Sequence, residues 1–531
     1  MKIIILFFYL LVFSAGLFAQ PGFSPDPRID VLHYEFNISL TDSSDHIRGL
    51  TVTGLKFRAP APVITFSLRN IDQAGKGMKV SKVEYDGNTV GWSHTGDKLM
   101  IIPPGNVQKD SMAEIKVHYA GIPADGLIIS RNKFGGRTFF ADHWPDRASY
   151  YLPVVDHPSD KATVDFIITA PSHYEVVANG YLTEQSDLPG GYRLTHWKED
   201  VPVPVKVMAF GAASFAVQLA GSVDNVPVWT WVFPENRIAG FNDYAVAVKP
   251  LKLYERLIGP YPYEKLADVQ SKTIFGGMEN AGCIFYSESS VTGQGKAEGL
   301  IAHEIAHQWF GNSVTENNWH HIWLSEGFAT YMTSVYMEMT YGNDRMEESM
   351  NSARDRVISI YERAPAPVVD TAVTDLMDLL NANSYQKGAW VLHMLRNELG
   401  DGDFWKGMRM YYSRYRNGNA VTVDFMHAME EAGNRDLSGF FHQWLYVAGQ
   451  PDLKISTKPA DNKGYLNLTI EQAQDFIFSF DLEILLKDNS GERIITIPVN
   501  KRITVLPVKA SQDAVFTPDP HVKLLFRRIK S

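Results

Sequence analysis

The stretch that most constrains this chain is Leu300-Ile301-Ala302-His303-Glu304-Ile305-Ala306-His307-Gln308-Trp309-Phe310-Gly311, an apolar, helix-compatible run that carries H-E-x-x-H. Four residues are just over one helical turn, so His303 and His307 share a face. Two imidazoles so placed can bind one Zn²⁺, with Glu304 beside it as the candidate general base. A catalytic zinc usually takes a third protein ligand and leaves a position for water. Glu326, in Trp323-Leu324-Ser325-Glu326-Gly327-Phe328-Ala329, is the obvious candidate; it lies on a second helix-like segment from Ser325 to Tyr341. Two helices joined by so short a connection can pack antiparallel and bring Glu326 to the histidine face. An amphipathic helix can carry H-E-x-x-H by chance, but here two histidines, the glutamate between them and a downstream carboxylate coincide.

The N-terminus reads as a targeting segment. Met1-Lys2 is a basic start, Ile3 to Phe13 is continuously apolar, and Ser14 to Ala19 offers small residues for cleavage. This predicts a signal peptide over residues 1–19 and an exported protein, periplasmic or secreted, with no stable membrane span after cleavage. Cys283 is the only cysteine, so an internal disulfide and a four-cysteine zinc site are both excluded; a buried thiol is expected. Net charge is −10 with no basic stripe, which argues against a nucleic-acid partner.

Along the chain, residues 24–213 read as β. Tyr34, Phe36, Ile38 and Leu40 alternate with polar residues, as do Ile64, Phe66 and Leu68, and Ile115, Val117 and Tyr119. Asp86-Gly87-Asn88, Pro103-Pro104-Gly105 and the run Asp187 to Gly191 punctuate them. Residues 214–450 turn mixed and then helical. Val226 to Phe233, Leu266 to Gln270 and Ile284 to Tyr286 read as strands. Helices are expected over Ile238 to Leu257, Tyr385 to Leu399 with Gly400 as a stop, Phe404 to Tyr415, Val423 to Ala432 and Leu437 to Val447, with Thr422 and Asp436 as N-caps. Gly449-Gln450-Pro451 ends this run, and residues 451–531 alternate again as a small β-domain.

Three motifs in order carry a resemblance. His303-Glu304-Ile305-Ala306-His307 followed by Glu326 at gluzincin spacing, Gly276-Gly277-Met278-Glu279-Asn280 upstream, and Ser384-Tyr385-Gln386-Lys387-Gly388 downstream resemble the aminopeptidase N-like zinc metallopeptidase family. Leu152 to Ala162 and Asp436 to Trp444 resemble further segments of it. The resemblance covers nearly all of the mature chain and departs from the family in two ways. The long helical domain of larger members is not expected after the β-domain. The family's substrate-contacting Gln or Glu upstream of Leu152 has no counterpart assignable by motif in Phe139-Phe140-Ala141-Asp142-His143-Trp144-Pro145-Asp146-Arg147.

The resemblance implies a multidomain α+β protein: an N-terminal antiparallel β domain, a thermolysin-like α/β zinc catalytic domain and a small C-terminal β-sandwich. It implies one zinc per chain, Tyr385 as hydrogen-bond donor to the reaction's oxyanion, and Gly276, Gly277, Met278, Glu279 and Asn280 as substrate-binding residues. Only the motif selects Glu279 over Glu288, Glu298 and Glu316. Its carboxylate would hold the free α-ammonium of a peptide, and this makes an aminopeptidase. A leukotriene-type epoxide hydrolase shares these motifs without a positive reason for it here, and a peptide-binding relative that lost catalysis should have lost Glu304 and Tyr385 first. His143, His157, His320 and His321 are read as structural.

Overall fold

The computed structural model describes residues 25–529. The predicted signal segment lies outside them. The alternating residues of the first half make long strands because one face of each is buried: Tyr34, Phe36, Ile38 and Leu40 are all at most 1% exposed. Ile29–Ser39 is central in an eight-stranded sheet. It pairs antiparallel with Ile47–Phe57 and parallel with Lys161–Pro171, so one junction departs from the antiparallel expectation. A parallel neighbour needs a long crossover, and residues 40–160 supply it with further strands. Asp86 and Gly87 turn the Gly77–Tyr85 hairpin, both at positive φ.

From Ala216 onward a five-stranded sheet forms, in the order Ala216–Val223, Val226–Val232, Leu266–Ser271, Cys283–Ser287, Gly277–Met278. Its inner pairs are parallel, and Gly277–Met278 is an antiparallel edge strand. The helices of this region are α1 (Arg237–Tyr244), α2 (Val248–Leu257), α3 (Glu298–His307), α4 (Trp323–Tyr341), α5 (Asn343–Tyr361), α6 (Gly388–Tyr415) and α7 (Thr422–Gly433); α1 and α2 pack on Ala216–Val223 and Val226–Val232, and α3 packs on Gly277–Met278. The single helix expected over Ile238 to Leu257 is instead α1 and α2, joined by a 3₁₀ turn at Ala245–Ala247. Pro250 sits in the first turn of α2, where its missing N–H costs nothing, whereas in one long helix it would break the interior. Gly400, at φ 76°, interrupts α6 where the stop was expected.

Thr422 is the first residue of α7 rather than its N-cap. The cap is made by Asp424, whose carboxylate accepts from the Val421 N–H at 2.8 Å. The Thr422 hydroxyl is taken by Trp323 Nε1 (2.9 Å) and His321 Nδ1 (2.8 Å). Asp436 does accept from the Ser438 N–H at 2.8 Å, but the helix it opens is only Ser438–Phe441, continued by a π turn over His442–Tyr446. Beyond Pro451, a four-stranded and a three-stranded sheet enclose Leu468, Ile470, Leu482, Ile484 and Val499. Lys161 ties the eight-stranded sheet to the helical region: its Nζ donates to the carbonyls of Asn312, Ser313 and Gly418 at 2.8–3.1 Å. Burial pushes this amine down to about 7.

Candidate metal centre and active-site cleft

Helix α3 buries Ile301, Ala302, Ile305 and Ala306 and turns His303 and His307 to the opposite side, as the spacing requires. Glu326, in the first turn of α4, faces them. His303 Nε2 and His307 Nε2 lie 3.2 Å apart, and Glu326 Oε2 is 3.5 Å and 3.3 Å from them. Bonds of about 2.0–2.1 Å to one tetrahedral Zn²⁺ would hold ligand atoms about 3.3 Å apart. The donor set thus fits zinc in chemistry and in spacing. Two further observations support this. Glu326 Oε2 is buried, and it faces the two imidazole nitrogens that would share the ion. Glu279, Glu304 and Glu326 are each only 4–5% exposed, a cluster of carboxylates that a divalent cation would neutralise.

The ligand orientations are held from behind. His307 Nδ1 contacts the Phe310 carbonyl at 3.2 Å and Ser325 Oγ at 3.0 Å, which leaves the Nε2 lone pair for the metal. Gly311 makes room for this: at φ 115° a Cβ there would stand 2.2 Å from Ser325 Oγ. Burial pushes the His303 imidazole below its usual range. Burial also acts to raise the Glu326 carboxyl, but the neighbouring imidazoles outweigh it and hold the group well below the ordinary carboxylate range.

Glu304 lies between the metal ligands and the edge strand. A Cβ on Gly277 would be 2.3 Å from Glu304 Oε1, so only glycine lets the strand and the base share this space. Burial raises the Glu304 carboxyl well above its ordinary value, as suits a proton carrier. Glu279 follows the strand. Its own carbonyl is fixed by Asn312 Nδ2 (2.6 Å) and Gln308 Nε2 (3.1 Å), while its side-chain Oε1 has no partner among the described residues. Gly276, Gly277, Met278 and Glu279 line a cleft of about 880 Å³ with the three ligand residues, Glu304 and Tyr385. Asn280 does not: it is fully buried behind the strand, where the turn marked by its N–H to the Met278 carbonyl carries the chain away from the cleft.

Tyr385 stands on a π turn, Asn383–Lys387, and not on the regular helix expected from Tyr385 onward. Such turns displace a side chain relative to α-helical register and recur at functional sites. Its ring is parallel to that of His303, 6.1 Å away. Burial and then the Glu326 and Glu279 carboxylates raise its phenol well above 10, so it remains a donor. Its approach depends on Gly327 and Gly388, which meet across α4 and the start of α6.

The stretch Phe139 to Arg147 contributes Trp144 to the cleft wall. Asp142 is fully buried. Its carboxylate pairs with Arg147 and accepts from Thr273 Oγ1 and the Ile274 N–H, both at 2.9 Å. It therefore anchors the segment leading into the edge strand and does not face a substrate. Three further histidines make structural contacts: His143 Nε2 meets Tyr151 OH at 2.8 Å, His157 Nδ1 meets Ser159 Oγ at 2.8 Å, and His320 Nδ1 meets the Asp370 carbonyl at 2.9 Å. Cys283 is buried in its strand, and burial pushes its thiol up to about 12. Sequence reasoning missed Ser325, Gly327, Gly388 and Trp144. None has a local pattern that announces it, apart from position beside a motif.

The chain has relatives among known proteins. The family model described as Peptidase M1 N-terminal domain matches residues 31–205, and that described as Peptidase family M1 domain matches residues 243–444. Human glutamyl aminopeptidase is 27% identical over 59% of this chain and 34% of its own length. A probable aminopeptidase 2 of Sulfurisphaera tokodaii is 26% identical over 67% of this chain and 45% of its own. Bovine endoplasmic reticulum aminopeptidase 2 is 30% identical over 62% and 37%. The chain thus spans between about a third and a half of the length of these curated relatives. The crystal structure of an M1 zinc metallopeptidase from Deinococcus radiodurans shares the fold, with a TM-score of 0.67 at 24% identity, covering 80% of this chain and 95% of that one.

Proposed function

Because this chain belongs to peptidase family M1, we propose that it is a zinc aminopeptidase that removes N-terminal residues from peptides. The observation that carries the reading is the convergence of His303, His307 and Glu326 beside a buried carboxylate, Glu279, that has a free oxygen on the cleft wall. In this reading the three residues hold one zinc per chain. Zinc bound there supplies Lewis-acid polarisation of the scissile carbonyl and acidifies a water. Glu304 takes the water's proton and returns it to the leaving amine, for which its raised pKa suits it. The Tyr385 hydroxyl donates to the oxyanion, a term worth up to several kcal/mol. Glu279 binds the substrate ammonium, and this sets the cut one residue from the N-terminus. The edge strand Gly277–Met278 offers backbone groups to an extended substrate.

Export is part of the same proposal and is supported by the pattern of residues 1–19 alone. Among the described residues no helix is long and apolar enough to cross a membrane. The test is hydrolysis of aminoacyl-arylamides by the purified protein with and without a chelator, alongside metal analysis of the parent and His307→Ala. Chelator-sensitive release and one zinc per parent chain, lost in the variant, are expected. No hydrolysis by zinc-loaded protein, or full zinc in His307→Ala, would overturn the reading.

A further inference from the structure

Away from the metal ligands, the cleft follows α4. Thr330, Thr333 and Ser334 continue the face that carries Glu326 at steps of four, seven and eight residues. At 1.5 Å per residue this wall, from Glu326 to Ser334, is about 12 Å long, room for the about 10 Å of an extended tripeptide. Helix α5 adds Ser349, Ser352 and Arg356, again one face at spacings of three and four. The charge in this cleft is lopsided. Glu279, Glu304 and Glu326 are buried beside the metal centre, and Glu348 is engaged by Arg345 at 2.6 Å. Arg356 is the one Lys or Arg among the described residues lining the cleft, and no hydrogen bond or ion pair with a described residue occupies its guanidinium. Its neighbour Arg354, by contrast, is bound to Asp519 and the Leu524 carbonyl at the C-terminal domain.

A guanidinium with all five donors free is a bidentate receptor for a carboxylate. A short peptide is a zwitterion, with an ammonium at one end and a carboxylate at the other. We propose that Arg356 binds the C-terminal carboxylate of short peptides, so that the cleft reads both ends of its substrate and selects peptides a few residues long with a free C-terminus. Resting on the aminopeptidase reading, this names its substrate class. Glu279 takes the ammonium and Arg356 the carboxylate. Because Arg356 lies in solvent, its contact is screened by salt and governs binding more than turnover.

The experiment compares one tripeptide as the free acid and as the C-terminal amide, each on parent, Arg356→Gln and Arg356→Lys. The parent should prefer the acid by about two- to fivefold in kcat/KM, as suits one solvent-exposed ion pair, with the difference in KM. Arg356→Gln should bring the ratio close to one, and Arg356→Lys should keep part of it. Because the readout is a ratio within each enzyme, a general loss of activity does not mimic it. Equal rates on acid and amide by a parent that cleaves aminoacyl-arylamides would overturn the Arg356 proposal alone. A full acid preference in Arg356→Gln would overturn it as well. Absence of arylamide cleavage would instead sink the reading beneath it.

Discussion

Gly327 and Gly388 touch backbone to backbone: a Cβ built on either would stand 2.9 Å from the Cα of the other. Gly327 follows the metal ligand Glu326 by one residue, and Gly388 ends the π turn that carries Tyr385. The contact therefore sets how closely the proposed oxyanion donor approaches the proposed metal. Gly327→Ala should push the two segments apart at a cost of about 1–3 kcal/mol. Because a displacement near 1 Å can cost about a hundredfold, kcat should fall by about 10- to 100-fold. Zinc content should stay at the parent level, since Glu326 is held by its own helix. Metal analysis with arylamide kinetics checks both.

The second close contact, Gly277 against Glu304, predicts a base mutant made without touching the base. Glu304→Gln should retain zinc and lose nearly all kcat. Gly277→Ala puts a methyl group 2.3 Å from Glu304 Oε1, so the carboxylate must move. It should lower kcat by about a hundredfold, again with zinc retained. Near-normal turnover in either variant would remove Glu304 from the chemistry.

Glu279 separates exopeptidase from endopeptidase. Glu279 is 5% exposed and its Oε1 has no partner among the described residues, so a substrate ammonium would satisfy it. Asp142 is held in its pairing with Arg147, so in the proposed reading Glu279 would take the ammonium. N-acetylation of a peptide should therefore cost the parent several kcal/mol in kcat/KM, and Glu279→Ala should narrow that gap while leaving zinc in place. Equal cleavage of free and acetylated peptide by the parent would mean an endopeptidase.

The β-rich N-terminal region should be acid-labile through His143. Burial, aided by Arg147, pushes this imidazole down to about 3. Its contribution to stability is complete above an unfolded pKa of about 6.5 and is lost as pH falls from there toward 3. At pH 5 the loss is about 2 kcal/mol. His143→Gln should lower Tm at pH 7 but make the further drop between pH 7 and pH 5 smaller than in the parent. An unchanged pH dependence of Tm would show that His143 is not held neutral.

The metal ligands were legible in the chain because their geometry is local. The i, i+4 spacing of His303 and His307 is a property of any α-helix, and the buried alternation from Tyr34 to Leu40 is a property of any half-buried strand. Gly276 to Glu279 and Tyr385 were reached by pattern, ahead of any reason for their places. The rest depended on which surfaces meet. Asn280 continues a motif yet is buried, because the chain turns back after one edge strand. Thr422 looks like an N-cap, but two side chains from around the start of α4 compete for its hydroxyl. Pro250 divides a helix that periodicity alone would continue. Gly327 and Gly388 stand in quoted motifs, but nothing local says that they touch, and the free guanidinium of Arg356 carries no local signal. A close approach or an unpaired charge exists only between elements distant in sequence, so packing decides it.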